Sequence, residues 1–193
     1  MNTNHYQTQV LNGLQLKNYL DKLPAEEFTK EGYYKGFKFL NRHFIGLKNL
    51  EPIKDDKYIL LLDISETEHN IVGVINLQNI NKPYYYDSKK VFDTNDINIK
   101  WEIDYIEIRR DYQNKGLVKL LLQGVPTAVL SNECFYITNF TDSGLKHHLN
   151  VKMAETLPNY KFYLITSELS NINVSEPVIT LLQFNGLIAK DFI

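Results

Sequence analysis

Apolar residues at Leu11, Leu14, Leu16, Tyr19, Leu20 and Leu23 recur mostly every three or four positions, the spacing of one helix face. Pro24 then closes that helix, because a prolyl ring cannot continue it. Over residues 25–50 the apolar set Phe28, Tyr33, Tyr34, Phe37, Phe39, Leu40, Phe44 and Leu47 recurs among lysines without strand alternation. This predicts a second helical region, with limits blurred by Gly32, Gly36 and Gly46. The period changes at Tyr58. Residues 58–64 are an apolar run, 65–70 a polar turn and 71–80 a stretch rich in Val and Ile, which together predict an antiparallel hairpin.

A polar connection over residues 81–100 is too long for a tight turn and long enough to cover a site or meet a partner. Its Tyr84, Tyr85 and Tyr86 are expected to fold back and anchor it. Residues 101–108 return to strand character, and from Gln113 the residues Leu117, Leu120, Leu121 and Val125 mark a helix face that stops or kinks near Gly124 and Pro126. Residues 135–138 read as a short strand, and 141–157 as a helix capped by Thr141 or Asp142 with Pro158 beyond its end. Strands at 161–166 and 178–184 follow, separated by a loop rich in Ser and Asn. The order, two helices, a hairpin, a long loop, then strand, helix, strand, helix and two strands, predicts an α+β or mixed α/β sheet.

Composition narrows the function classes. The 193 residues suit one domain spanning 1–193, and 44% hydrophobic with 12% aromatic residues supplies a continuous core. A formal net charge of −2 offers no overall basic field, so nucleic acid is not an expected partner. The single Cys134 cannot form an internal disulfide, and no Cys and His set has zinc-ligand spacing, so no metal is expected. No apolar run approaches the roughly 20 residues that cross a bilayer, and the polar first ten residues do not read as a signal segment. A soluble cytoplasmic protein without a membrane partner is the expectation.

The stretch WEIDYIEIRRDYQNKGLVKLLLQ, residues 101–123, carries the chemistry. A strand runs through a short polar loop and a glycine into an apolar helix. The first turn of a helix leaves backbone N–H groups unpaired and carries the positive end of its dipole, so it can hold a pyrophosphate. Gly116 keeps a Cβ away from approaching phosphates, and Lys115 or Lys119 adds charge from the sides. The absence of a GxxxxGK[ST] element argues against the commonest alternative nucleotide site.

The run Gln113, Asn114, Lys115, Gly116, Leu117, Val118 resembles the acyl-CoA-binding motif of the GCN5-related N-acetyltransferase (GNAT) superfamily: Gln or Arg, two residues, Gly, one residue, then Gly or Ala. Val118 departs from the small residue usual at the last position. The element order over residues 14–184 also matches that family. The resemblance implies a single α+β domain: a mostly antiparallel sheet with splayed middle strands, flanked by helices. It further implies acetyl-CoA as co-substrate. Its pantetheine arm would lie between the motif strand and the strand at 135–138, bonded to backbone around Ile106 and Ile108. Arg110, Gln113, Asn114, Lys115, Gly116, Leu117, Val118 and Lys119 would line the pyrophosphate, with Asn139 at the pantetheine or capping the next helix.

Acyl transfer to an amine needs a base to make the nitrogen neutral. Glu102, Asp104 and Glu107 are the acids on the motif strand, and alternation puts the first two on one face and Glu107 on the other. In the histone-acetyltransferase branch of the family a catalytic Glu stands eleven residues before the motif's first position, and Glu102 stands eleven before Gln113. Glu102 is the first candidate base and Asp104 the second, with burial expected to raise the carboxylate pKa. Facing solvent or pairing with lysine is the competing reading for each acid. The helix after the short strand lacks the Tyr that often protonates the leaving thiolate. His147 and His148 are the nearest substitutes, although neighbours on a helix point about 100 degrees apart and a surface role is favoured. Cys134 reads as a small buried hydrophobe rather than an acyl carrier.

The expected function is an acetyl-CoA-dependent N-acetyltransferase acting by direct attack of a primary amine. The acceptor is a small amine or a peptide amine, and a homodimer is an allowed assembly. The alternative is a GNAT-fold module that binds CoA or a protein partner without turnover.

Overall fold

The computed structural model describes residues 5–43, 55–65, 70–80, 84–86, 89–92, 98–137, 144, 146–168 and 178–184. Two compact units are distinguished, residues 1–79 with 104–129 and residues 80–103 with 130–193.

The first unit opens on a strand the hydrophobic pattern does not announce. β1, Tyr6–Asn12, pairs antiparallel with β2, Lys57–Asp63, so that Val10 faces Ile59 across the ladder. Leu11 alone of its residues is buried. The strand is held by backbone bonds to β2 rather than by an apolar face of its own, which is why helical spacing from Leu11 onward was the stronger signal. The helix α1 is therefore shorter than expected, Gly13–Asp21. Asn12 fixes its start: its side chain accepts from Gln15 N at 2.8 Å, and the Gln15 side chain accepts from Asn12 N at 2.9 Å.

Of the helical region expected over 25–50, residues 25–41 form no α-helix, Arg42 and His43 are helical, and residues 44–50 lie outside the described residues. A single 3-10 turn at Ala25–Glu27 gives way to a loop with isolated bridges between Phe28 and Tyr34 and between Tyr33 and Asn41. Gly32 and Gly36 explain the failure: both are left-handed, at φ +86° and +85°, a conformation no right-handed helix accommodates. Part of the apolar set is buried nonetheless, while Tyr33 and Phe39 are exposed. Phe28, Tyr34, Phe37 and Leu40 pack with Leu16 and Leu20 of α1 and with Leu60 and Leu62 of β2.

β2 pairs antiparallel with β3, Asn70–Asn79, forming the expected hairpin. β6, Ile99–Ile108, divides between the units. Arg109 N donates to Val72 O at 2.9 Å in the first unit, and Ile80 N donates to Lys100 O at 2.8 Å in the second. The rising and falling numbers mark an antiparallel run beside β3. On the face opposite α1, Ile59 and Leu61 meet the helix α2, Leu117–Leu122, and the short α3, Val125–Ala128.

In the second unit the connection at 81–100 holds a small hairpin of its own, β4, Tyr84–Tyr86, with β5, Lys89–Phe92. The first residues of β6 run parallel to β7, Cys134–Ile137, with a register extending from Ile99 to Glu102. β7 runs parallel to β8, Lys161–Glu168, which pairs antiparallel with β9, Val178–Phe184. Phe135 stacks on Phe162 with ring centroids 5.2 Å apart. The helix expected over 141–157 is described as α4, Leu149–Thr156; His148 before it is left-handed at φ +53°, which interrupts a continuous helix there. Its expected cap, Thr141 or Asp142, lies outside the described residues. Among the described residues antiparallel ladders outnumber parallel ones, in a mixed α/β sheet flanked by helices.

Gly124 separates α2 from α3 where they cross the sheet. A Cβ there would stand 2.6 Å from Ile59 Cγ2 and 3.2 Å from Leu121 O. Its backbone is ordinary, φ −75°, so Gly124→Ala tests packing without conformational strain. Overcrowding is expected to lower the unfolding free energy by about 1–3 kcal/mol, read by urea denaturation.

Candidate functional site

The sequence from β6 into α2 forms a strand, a 3-10 turn at Arg110–Tyr112, a four-residue reversal at 113–116 and a helix. Asn114 and Gly116 both adopt left-handed backbone, at φ +62° and +69°. Gly116 caps α2, and a Cβ placed on it would meet nothing within 4 Å. The glycine thus serves the turn's conformation and opens its outer side, rather than relieving a clash inside the protein. Asn114, Lys115 and Lys119 are exposed, Leu117 is buried under the turn and Val118 is half-buried.

Gln113 has a structural task here. Its side-chain Nε2 donates to Ile108 O at 3.1 Å, so the amide ties the turn to the end of the strand. Ile108 is buried and Ile106 half-buried.

The turn is fastened by residues the spacing argument did not single out. Arg109 forms a double contact with Asp111, Nε to Oδ1 at 2.8 Å and Nη2 to Oδ2 at 2.9 Å, while its Nη1 donates to Asn70 Oδ1. Tyr112 lies beneath, with the Arg109 guanidinium 4.6 Å and the Lys115 ammonium 4.4 Å from its ring centre. The Tyr112 hydroxyl donates to Asp63 Oδ2 at 3.1 Å and accepts from Asn70 Nδ2 at 3.2 Å. Asp63 also accepts from Ser65 N and Oγ, at 3.0 and 2.7 Å. No sequence spacing shows these pairs, since Asp63 and Asn70 lie 49 and 42 positions before Tyr112.

The acidic candidates separate. Asp104 is exposed. Glu107, half-buried, accepts from the backbone N–H groups of Lys38, at 2.6 Å, and Phe39, at 3.1 Å. Burial raises its pKa, outweighing the two hydrogen bonds and the nearby Lys38 charge that favour ionisation. Its place is structural, holding the loop against β6. In the second unit Glu102 is half-buried and accepts a hydrogen bond from the hydroxyl of Tyr136, a buried residue of β7. The tyrosine stands on the strand rather than on the following helix, in a run that is apolar and buried throughout, so that no alternation singles it out in the sequence.

His147 and its neighbour His148 are exposed in the turn before α4, as a surface role requires. Asn139 lies outside the described residues. Cys134 is buried, and that burial pushes its thiol pKa up, against thiolate formation. Among the described residues no group of three or more His, Cys, Asp or Glu is arranged to hold a metal ion, and no helix is long and apolar enough to cross a membrane.

No family model matches the chain, and no curated protein matches it in sequence. Among solved structures it is similar to a single-site variant of the spermidine N-acetyltransferase SpeG from Vibrio cholerae, at 12% identity over 97% of this chain and 98% of that one, with a TM-score of 0.47. A second SpeG variant gives 14% identity over 93% and 94% of the two chains and a TM-score of 0.45. A Trypanosoma brucei acetyltransferase gives 15% identity over 74% and 88%, with a TM-score of 0.40.

Two carboxylates of the fastening network titrate below their ordinary range. In Asp63 burial works upward, but the bonds from Ser65 and Tyr112 outweigh it. In Asp111 the hydrogen bond from Arg109 dominates. A lowered folded pKa contributes stability that is complete above the unfolded carboxylate value of about 4 and is lost as pH falls through the folded one. Urea stability measured from pH 6 down to pH 2 is expected to fall less steeply in an Asp63→Asn, Asp111→Asn double variant than in the wild type.

Proposed function

We propose that the chain is an acyl-CoA-dependent N-acetyltransferase of the GNAT superfamily, a single catalytic domain in which the turn 110–119 holds the pyrophosphate of acetyl-CoA. The observation that carries the reading is Gly116: a left-handed residue at a strand-to-helix turn, with open space where a side chain would project, inside a run that reads Gln113, Asn114, Lys115, Gly116. Such a cradle suits a diphosphate, because a bare backbone at a helix start lets phosphate oxygens come close to its N–H groups. Lys115 and Lys119 supply charge from its exposed sides, and Gln113 and the Tyr112 network hold the turn in shape before any ligand arrives.

Bound there, acetyl-CoA supplies a thioester carbonyl; amine attack forms the C–N bond, breaks the C–S bond and releases the thiolate. The protein's own part is proton handling. We assign Glu102 as the base that takes the amine proton, directly or through water, and Asp104 as a group that attracts a cationic acceptor. The Tyr136 hydroxyl orients the Glu102 carboxylate. Neither His147 nor Cys134 has a part in this scheme. The acceptor class is a primary amine, on a small molecule or a peptide.

Two variants of one residue test the cofactor site. Gly116→Ala and Gly116→Glu share the backbone strain of a left-handed residue, about 1–2 kcal/mol, and neither meets a neighbour at its Cβ. Calorimetry is expected to show acetyl-CoA binding within a few fold of wild type for Ala and abolished for Glu, whose carboxylate enters the phosphate position. Equal affinities in the two variants would exclude the turn as a phosphate cradle. With a panel of amines, Glu102→Gln is expected to lower kcat by a factor of about 10² or more while leaving acetyl-CoA affinity unchanged. Tight binding of acetyl-CoA by the wild type without CoA release on any amine would favour the non-catalytic module.

A further inference from the structure

The first unit carries a cleft of about 800 Å³ that meets the proposed cofactor turn 110–119 at its first residues and extends beyond it to α1 and the loop after it. It is bounded by Leu23 and Pro24 after α1, by Glu27 and the loop Tyr34, Lys35, Gly36, by Asn70, and by Arg109, Arg110 and Asp111. Two close approaches build it. Arg110 N donates to Gly36 O at 3.1 Å, and a Cβ on Gly36 would lie 2.6 Å from Arg109 Cγ. Gly36, left-handed at φ +85°, lets the loop come directly against the turn and forms the floor where they touch.

The charges on its walls sort into committed and available groups. Arg109 and Asp111 neutralise one another in their double contact, and Arg109 is further held by Asn70. Glu27 is engaged by the hydroxyl of buried Tyr34. Arg110 and Lys35 remain: both are exposed, and neither forms an ion pair or side-chain hydrogen bond with a described residue. A guanidinium and an ammonium brought to one cleft from residues 75 positions apart in sequence suit a dianionic oxyanion, and a phosphate monoester supplies one at neutral pH. Leu23 and Pro24 offer apolar surface for the body that carries it.

We propose that this cleft is a second binding site, for a phosphate monoester borne on a small, partly apolar or aromatic body, with Arg110 and Lys35 as its phosphate ligands. Where the acyl donor is its source, this site rests on the reading above; where a separate molecule is, it does not. Such a group has two sources, the 3′-phosphate of the acyl donor itself or a separate phosphorylated molecule, and the same chemistry would hold either.

Calorimetry on the whole chain separates them with three probes: CoA, dephospho-CoA and phenyl phosphate. If the donor supplies the phosphate, wild type is expected to bind CoA about tenfold or more tightly than dephospho-CoA, and Arg110→Ala with Lys35→Ala to abolish that preference. If a separate ligand supplies it, CoA and dephospho-CoA bind alike. Phenyl phosphate then binds in the presence of saturating CoA and loses about tenfold in affinity with either substitution. Lys30→Ala, on the same loop but outside the cleft, controls for general loss of charge and is expected to change neither result. Phenyl phosphate binding that depends on Arg110 and Lys35 in a protein that binds no CoA would uphold the cleft and remove the acyltransferase reading. No probe responding to Arg110 or Lys35, while the variants retain the wild-type circular dichroism and urea midpoint, overturns the proposal.

Discussion

The end of β6 is the constraint on which the first unit's chemistry rests. The chain leaves the sheet at Ile108 and reverses into a helix within a few residues, and such a reversal in water would sample many conformations. It is held because its polar groups are tied on several sides. Arg109 N completes the ladder to Val72, Arg110 N reaches Gly36 O, Gln113 turns back to the Ile108 carbonyl, and Tyr112 is anchored through its hydroxyl to Asp63 and Asn70. Each bond contributes modestly, about 0.5–1.5 kcal/mol. Their joint effect is that the ordering entropy of the turn is met by folding rather than by ligand, which is the condition for a preorganised site.

The legible part of this arrangement is the part that local physics writes. Residues 101–122 alternate, meet a glycine and then repeat every three or four positions, so strand, turn and helix could be read in order, and the structure forms them as β6, the turn and α2. The hairpin of β2 and β3 was legible for the same reason, two apolar runs around a polar break. The candidate site was legible only along its own segment. Asp63, Asn70 and Tyr112 form one network through the fold, and nothing in the neighbourhood of any one of them announces the others.

The two misread stretches failed for different physical reasons. β1 is stabilised by its ladder to β2 and buries a single side chain, so its pattern carried little information about its conformation. The loop 28–42 buries aromatic residues at nearly helical spacing, but Gly32 and Gly36 are left-handed and turn the chain back on itself. Hydrophobic spacing pointed to Phe28, Tyr34, Phe37 and Leu40, which enter the core, and equally to Tyr33 and Phe39, which stay exposed; the glycines set the path. The same glycines bring Lys35 to the turn after β6, so the misread stretch is also the one that shapes the cleft.

A net charge of −2 says little about the field at such a place. What matters is which charges are already spent on the protein. Arg109, the most enclosed cation of the turn, is matched by Asp111 and contributes order rather than attraction. Lys115 rests over the Tyr112 ring, a contact that fixes its position while leaving its charge unneutralised. Arg110, Lys35 and Lys119 stand exposed around the same reversal. In the proposed cradle the N–H groups at the start of α2 and the cations beside them would act on an anion with one sign, against a net charge of −2 for the chain. Salt screens such a field beyond roughly 8–10 Å. On the proposed reading, selection of an anion falls to the last few ångströms of approach, where the backbone at Gly116 is bare, and not to long-range steering.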